Sequence, residues 1–115
     1  MVYAYARLEP GARLAIPADQ EERGLFLVEG ALDIAGETYP AGQLLVLRPK
    51  AEITVTAPAG ARFMVLGGEP MDGPRHIWWN FVSSSEERIE AAKEDWRAGR
   101  FAPVPGDREF IPLPA

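Results

Sequence analysis

From Val2 to Phe81, apolar residues come in short runs or alternate with polar ones, and glycine or proline separates one run from the next. Successive side chains of a strand point to opposite faces, so this pattern predicts an antiparallel sheet protein. The predicted strands are VYAYARL, RLAI, LFLVE, ALDIA, LLVL, EITVT, RFMVLG and HIWWNFV. Glu29-Gly30 and Ala35-Gly36 lie between runs, where glycine can supply the positive φ of a tight hairpin. Prolines 10, 17, 40, 49, 58, 70 and 74 also fall between runs, as expected of a residue that cannot donate to a ladder. Many short strands at near-regular spacing predict a closed barrel or a sandwich.

The period then changes. In SSSEERIEAAKEDWRAG, Ile89, Ala92 and Trp96 share one helical stripe, with Glu86, Glu87 and Glu90 in the first turns and Arg97 in the last. Ser84 with Glu87 three residues on fits a capping box, and Gly99 is a natural stop. The interleaved Lys93 and Arg97 make the helix acids a solvated, charge-paired face rather than an acidic binding surface. The tail RFAPVPGDREFIPLPA has too many prolines for regular structure and too many apolar residues to hang free, so it is expected to dock on the barrel or on a neighbouring chain. One structural domain follows: a barrel over 1–83, a helix over 84–99 and an extended docking tail over 100–115.

Composition narrows the functions. The 115 residues suit a single domain with its own core, and 47% hydrophobic with 25% charged residues is ordinary for a globular protein. A net charge of -5 repels a phosphate backbone, so nucleic acid is not an expected partner. With no cysteine there is no disulfide, thiolate metal site or cysteine nucleophile. No apolar stretch approaches the ~20 residues of a membrane span and the N-terminus lacks a signal-peptide pattern, which points to a cytoplasmic protein without a membrane partner. LGGEP lacks the Lys-Ser or Lys-Thr of a phosphate loop, and no GxSxG motif is present.

Two motifs carry a resemblance. Gly11, Pro17, Asp19, Arg23 and Gly30 follow the spacing of the first cupin motif, in which a glycine precedes two histidines, a glutamate and a closing glycine. Pro17 and Asp19 then stand at the histidine positions and Arg23 at the glutamate position. YPAGQLLVL is similar to the second cupin motif through Pro40 and Gly42, with Leu45 at its histidine position. Residues 66–114 resemble the closing segment of the pirin family of bicupins, most specifically in WWNFVSSS, DWRAGRF and FIPLP. The resemblance implies a mainly all-β, cupin-type double-stranded β-helix barrel, jelly-roll-like, with one C-terminal α-helix and an extended tail. Pirins hold two barrels in one chain, with a metal, commonly iron, in the N-terminal one and a quercetin-dioxygenase-like activity. This chain looks like the C-terminal barrel alone.

The side chains agree with a metal-free reading. A divalent site needs about three converging N or O donors, and of Pro17, Asp19, Arg23 and Leu45 only Asp19 is one. No cofactor is therefore expected. His76, the single histidine, can serve as a base or lone ligand with its ordinary pKa of about 6.5, but beside Trp78 and Trp79 it reads as a hydrogen-bonded structural residue. In an alternating strand one of the two tryptophans enters the barrel and the other faces out, against the helix, the tail or a partner. The expected function is a metal-free assembly or small-molecule binding module without catalysis of its own, homodimeric or paired with a partner cupin chain. Asp19, Arg23, His76, Trp78 and Trp79 are its candidate ligand contacts. The alternatives are a metal-dependent dioxygenase using Asp19, Glu22 and His76, a cofactor-free isomerase or lyase using carboxylates, or one half of a split bicupin.

Overall fold

A computed structural model describes residues 1–115, which divide into two compact units, Met1–Pro70 and Met71–Ala115. The first unit is entirely β: β1 (Val2–Leu8), β2 (Arg13–Ile16), β3 (Glu22–Ile34), β4 (Glu37–Pro40), β5 (Leu44–Val46), β6 (Ile53–Thr56) and β7 (Ala61–Gly68). The second holds the hairpin β8 (His76–Trp78) and β9 (Phe81–Ser83) and the helix α1 (Glu86–Arg97).

All pairings are antiparallel, and β3 organises the first unit. Its first part lies between β5 and β7, with β1 beyond β7; its last residues lie between β4 and β6, with β2 beyond β6. One curled seven-stranded sheet thus presents two faces of four strands that share β3. LFLVE and ALDIA, expected as separate strands, are one strand of 13 residues. The predicted Glu29-Gly30 turn is instead part of that strand, beside a register shift between Leu27 and Glu29. A bulge leaves residues unpaired and bends the strand, which lets β3 pass from one face to the other. Gly30 has φ 82°, and a Cβ there would sit 2.3 Å from the Gly60 carbonyl oxygen, so the close crossing of two backbones fixes this glycine. Ala35-Gly36 is the two-residue turn expected between β3 and β4, with φ 51° and 86°. Strand β4 was not anticipated, because its sequence ETYP is largely polar and ends in proline.

Inside the curl, the alternate residues Leu25 and Leu27 of β3 and Phe63 and Val65 of β7 meet Leu32, Leu47 and Val55 in one apolar core. Phe63, Leu25, Leu27, Leu32 and Val55 are fully buried. At ~25 cal/mol per Å² of apolar surface removed from water, this core is the main stabilising element of the unit.

In the second unit the expected single strand HIWWNFV is two. Trp79-Asn80 forms the turn, Trp79 has φ 51°, and Trp78 pairs with Phe81. The helix starts one residue later than the capping-box reading placed it. Ser85 is the N-cap, its Oγ accepting from the Arg88 N–H at 3.4 Å and donating to Glu87 Oε2 at 2.6 Å. The cap position goes to Ser85 because its extended backbone, φ -126° and ψ 130°, aims its hydroxyl at the first turn. At the other end Gly99, φ 65°, allows its N–H to reach the Trp96 carbonyl and that of Arg100 to reach Asp95, a Schellman closure.

The candidate ligand positions and their surroundings

Arg23 faces the core in register with Leu25 and Leu27, although it is charged, and only 4% of it is exposed. Its guanidinium donates from Nη1 to the carbonyls of Pro17 at 2.7 Å and Ile16 at 3.4 Å. From Nη2 it donates to those of Arg48 at 2.7 Å and Ala51 at 2.6 Å. A buried cation normally requires a carboxylate; here four backbone dipoles point their negative ends at it instead. These carbonyls lie at the end of β2 and in the loop between β5 and β6. Arg23 also accepts from the Leu47 N–H through its own carbonyl at 2.9 Å, so one residue ties β3 to both segments. Its Nε and the Gln20 Oε1 are buried without a partner.

The other sequence-derived positions contribute less. Pro17 is at this site, but through its main-chain oxygen rather than its ring. Leu45 is half-buried opposite Leu25 and packs against the core. Asp19 is exposed and forms no ion pair, so it does not converge with Arg23 on one site: the guanidinium turns inward to the carbonyls, while the Asp19 side chain stays in solvent. Nothing in the side-chain pattern marked Ile16, Arg48 and Ala51 as partners, because they act through main-chain atoms.

His76, Trp78 and Trp79 belong to the second unit. His76 is exposed and has no side-chain hydrogen bond, which corrects the expectation of a bonded structural histidine. The Ser85 hydroxyl first, then the backbone N–H of Glu87 and, least, the nearby His76 imidazole hold the Glu87 carboxyl below its ordinary value. Trp78 and Trp79 do not split between two faces of a strand, since Trp79 occupies the turn. Both join an aromatic cluster: Trp79 meets Trp96 edge-on at 5.1 Å, Trp78 stacks on Phe81 at 6.3 Å, and Lys93 Nζ lies 4.3 Å from the Trp78 ring centroid. The tail docks on this cluster. Phe101 stacks on Phe81, Phe110 on Trp96, and Trp96 Nε1 donates to the Ile111 carbonyl at 2.8 Å.

The donors do not fit a divalent metal. No group of three or more His, Asp or Glu side chains comes together anywhere in the chain, and the cupin glutamate position is filled by a fixed positive charge. No helix is long and apolar enough to cross a membrane.

With the geometry in place, comparison decides the family: the description "Pirin C-terminal cupin domain" matches residues 3–102. The chain belongs to the pirin C-terminal cupin family. A pirin-like protein of Caulobacter vibrioides is 44% identical over 115 residues, which is 99% of this chain and 40% of that protein. Two crystal structures of quercetin 2,3-dioxygenase from Acinetobacter baumannii share the fold. One has a TM-score of 0.76 at 27% identity, covering 98% of this chain and 40% of that one; the other has 0.78 at 20% identity, covering 86% and 35%. This chain therefore spans well under half the length of these relatives, and the curled sheet with its helix is the cupin-type fold that the motifs implied.

Proposed function

We propose that this pirin-type cupin domain carries no metal of its own and serves as an assembly module rather than as a catalytic centre. The observation that carries the reading is Arg23. Where a working cupin has a glutamate ligand, this chain has a buried guanidinium already engaged by four carbonyl oxygens. A cation brought to that point would meet a like charge and would compete for the oxygens that hold the loops. The interior supports the same reading, since its inward positions are closely packed leucine, valine and phenylalanine rather than polar groups converging on a cavity. Small-molecule binding at Asp19, Arg23, His76, Trp78 or Trp79 is the weaker version, because Arg23 has most of its donors occupied and Asp19 stands apart in solvent.

The second reading has its own support: relatives that match across nearly all of this chain are named quercetin 2,3-dioxygenases. On that reading the domain accompanies a separate metal-bearing cupin and supplies none of the ligands. Elemental analysis of the purified chain, with a quercetin turnover assay of the chain alone, tests the first reading; the same assay with a metal-loaded pirin-type N-terminal cupin added tests the second, which requires this chain to change that turnover. For the chain alone the expected result is substoichiometric iron, nickel, manganese and zinc with no turnover. Stoichiometric metal that is lost in Asp19→Ala would sink the proposal.

A further inference from the structure

The outward face of the β5–β3–β7–β1 half-sheet is apolar where a solvated sheet face is ordinarily polar. In register across it, Tyr3 stands beside Leu66, then Gly24, then Val46. The next rung runs Tyr5, Met64, Phe26, Leu44. Tyr3 is 72% exposed, Tyr5 57%, Leu44 56% and Val46 83%, and Phe26 is exposed as well. From typical side-chain areas, these two rungs leave on the order of 600–700 Å² of apolar surface in water, at or above the largest patch of an ordinary monomer. A standard protein interface needs about 800 Å² from each partner, so this face supplies most of one.

We propose that this face is the interface of a two-fold homodimer; the inference rests on the assembly reading above and names its surface. The face is complementary to itself. A two-fold axis lying across the strands, between the two rungs, sets each rung over the other rung of the second copy while keeping each strand over its own counterpart. The Phe26 ring of one copy then meets Gly24 of the other, the one position on these rungs without a side chain, and the same contact occurs twice. Val46 meets Leu44 and Tyr3 meets Tyr5 in the same way. Beyond the rungs the face ends in Glu22, beside Gly68, on one side and in Arg7 and Arg62, ion-paired with Glu9 and Glu29, on the other. The hollow at Gly24 opens into a groove of about 570 Å³ bounded by Leu44, Val46 and Leu66.

The test is sedimentation equilibrium of the 115-residue chain and of Phe26→Glu, Val46→Glu and Ile77→Glu, each checked by circular dichroism. The unsubstituted chain is expected to be a dimer. Phe26→Glu and Val46→Glu should each weaken dimerisation by at least about 100-fold, since each buries an uncompensated carboxylate. Val46 is exposed enough to take the change without loss of fold, which covers an unfolded Phe26 variant. Ile77→Glu, on the other unit, should leave the dimer intact. A dimer that survives both face variants overturns the assigned surface but not the assembly reading. An unsubstituted chain that stays monomeric, or that associates only with a different cupin chain, overturns the homodimer. The metal content of the purified chain is independent of all these outcomes.

Discussion

Replacing Arg23 with methionine keeps a long apolar stem and removes every donor, leaving the carbonyls of Ile16, Pro17, Arg48 and Ala51 buried or half-buried without a partner. Hydrogen bonds to charged groups are worth about 1.5–3 kcal/mol each and do not add fully, so Arg23→Met should cost about 3–5 kcal/mol of folding stability in urea denaturation followed by circular dichroism. Arg23→Lys, with a compact ammonium in place of a fork, cannot reach both segments at once and should recover less than half of that loss. A loss below about 1 kcal/mol for Arg23→Met would show that the clamp is incidental. The arginine itself was legible from its spacing to Gly11 and Gly30. Its role was not, because backbone carbonyl oxygens leave no mark in a sequence. Asp19 is the converse case: its position in the motif suggested a ligand contact, yet its side chain is exposed and meets none of the other candidates.

The elements were legible where one period governs them. β1 and β2 occupy the expected VYAYARL and RLAI, since their pattern, turn residues and neighbours agree. Besides the polar strand β4 and the one-residue shift of the α1 cap, the errors fall where a glycine has two meanings or a turn has no glycine. Gly30 signals a turn in sequence but a backbone crossing in space, and Trp79-Asn80 turns the chain with a bulky residue at positive φ. The N-terminus of α1 carries a pH dependence of definite sign. The Glu87 carboxyl is held below its ordinary pKa, first by the Ser85 hydroxyl, then by its own backbone N–H, with a smaller effect from His76. A depressed carboxylate contributes stability that is fully present above its unfolded value near 4.3 and is lost as pH falls through the lower folded value. Acidification below about pH 4 should therefore fray the first turn of α1. NMR shifts of the Arg88 and Ile89 amides should follow that titration in the unsubstituted chain and lose it in Glu87→Gln. An unchanged titration in Glu87→Gln would assign the effect to another group.

At the scale of the molecule, the two units are built on different principles, and their dynamics should differ accordingly. Met1–Pro70 has a seven-stranded sheet around a continuous aliphatic core, with β3 paired on both sides along much of its length. Met71–Ala115 has a hairpin of two three-residue strands, one helix of 12 residues and an aromatic cluster whose rings are half-buried or exposed. A two-stranded hairpin is marginal by itself, so the aromatic packing and the Trp96–Ile111 hydrogen bond hold this unit together. That division was hidden in the sequence, because HIWWNFV reads as one more barrel strand until its turn at Trp79 is seen. Native-state hydrogen exchange is the direct measurement. The amides of Leu25, Leu27, Phe63 and Val65 should exchange only through global opening, whereas the paired Ile77 and Val82 should exchange at least about tenfold faster, a difference of about 1.4 kcal/mol or more in opening free energy. Trp96→Phe, which keeps a ring but loses the bond to Ile111, should accelerate Ile77 and Val82 further and leave the β3 and β7 amides unchanged. Equal protection across both sets, or a Trp96→Phe effect that reaches Leu25 and Phe63, would mean that the chain opens as one cooperative body instead of two.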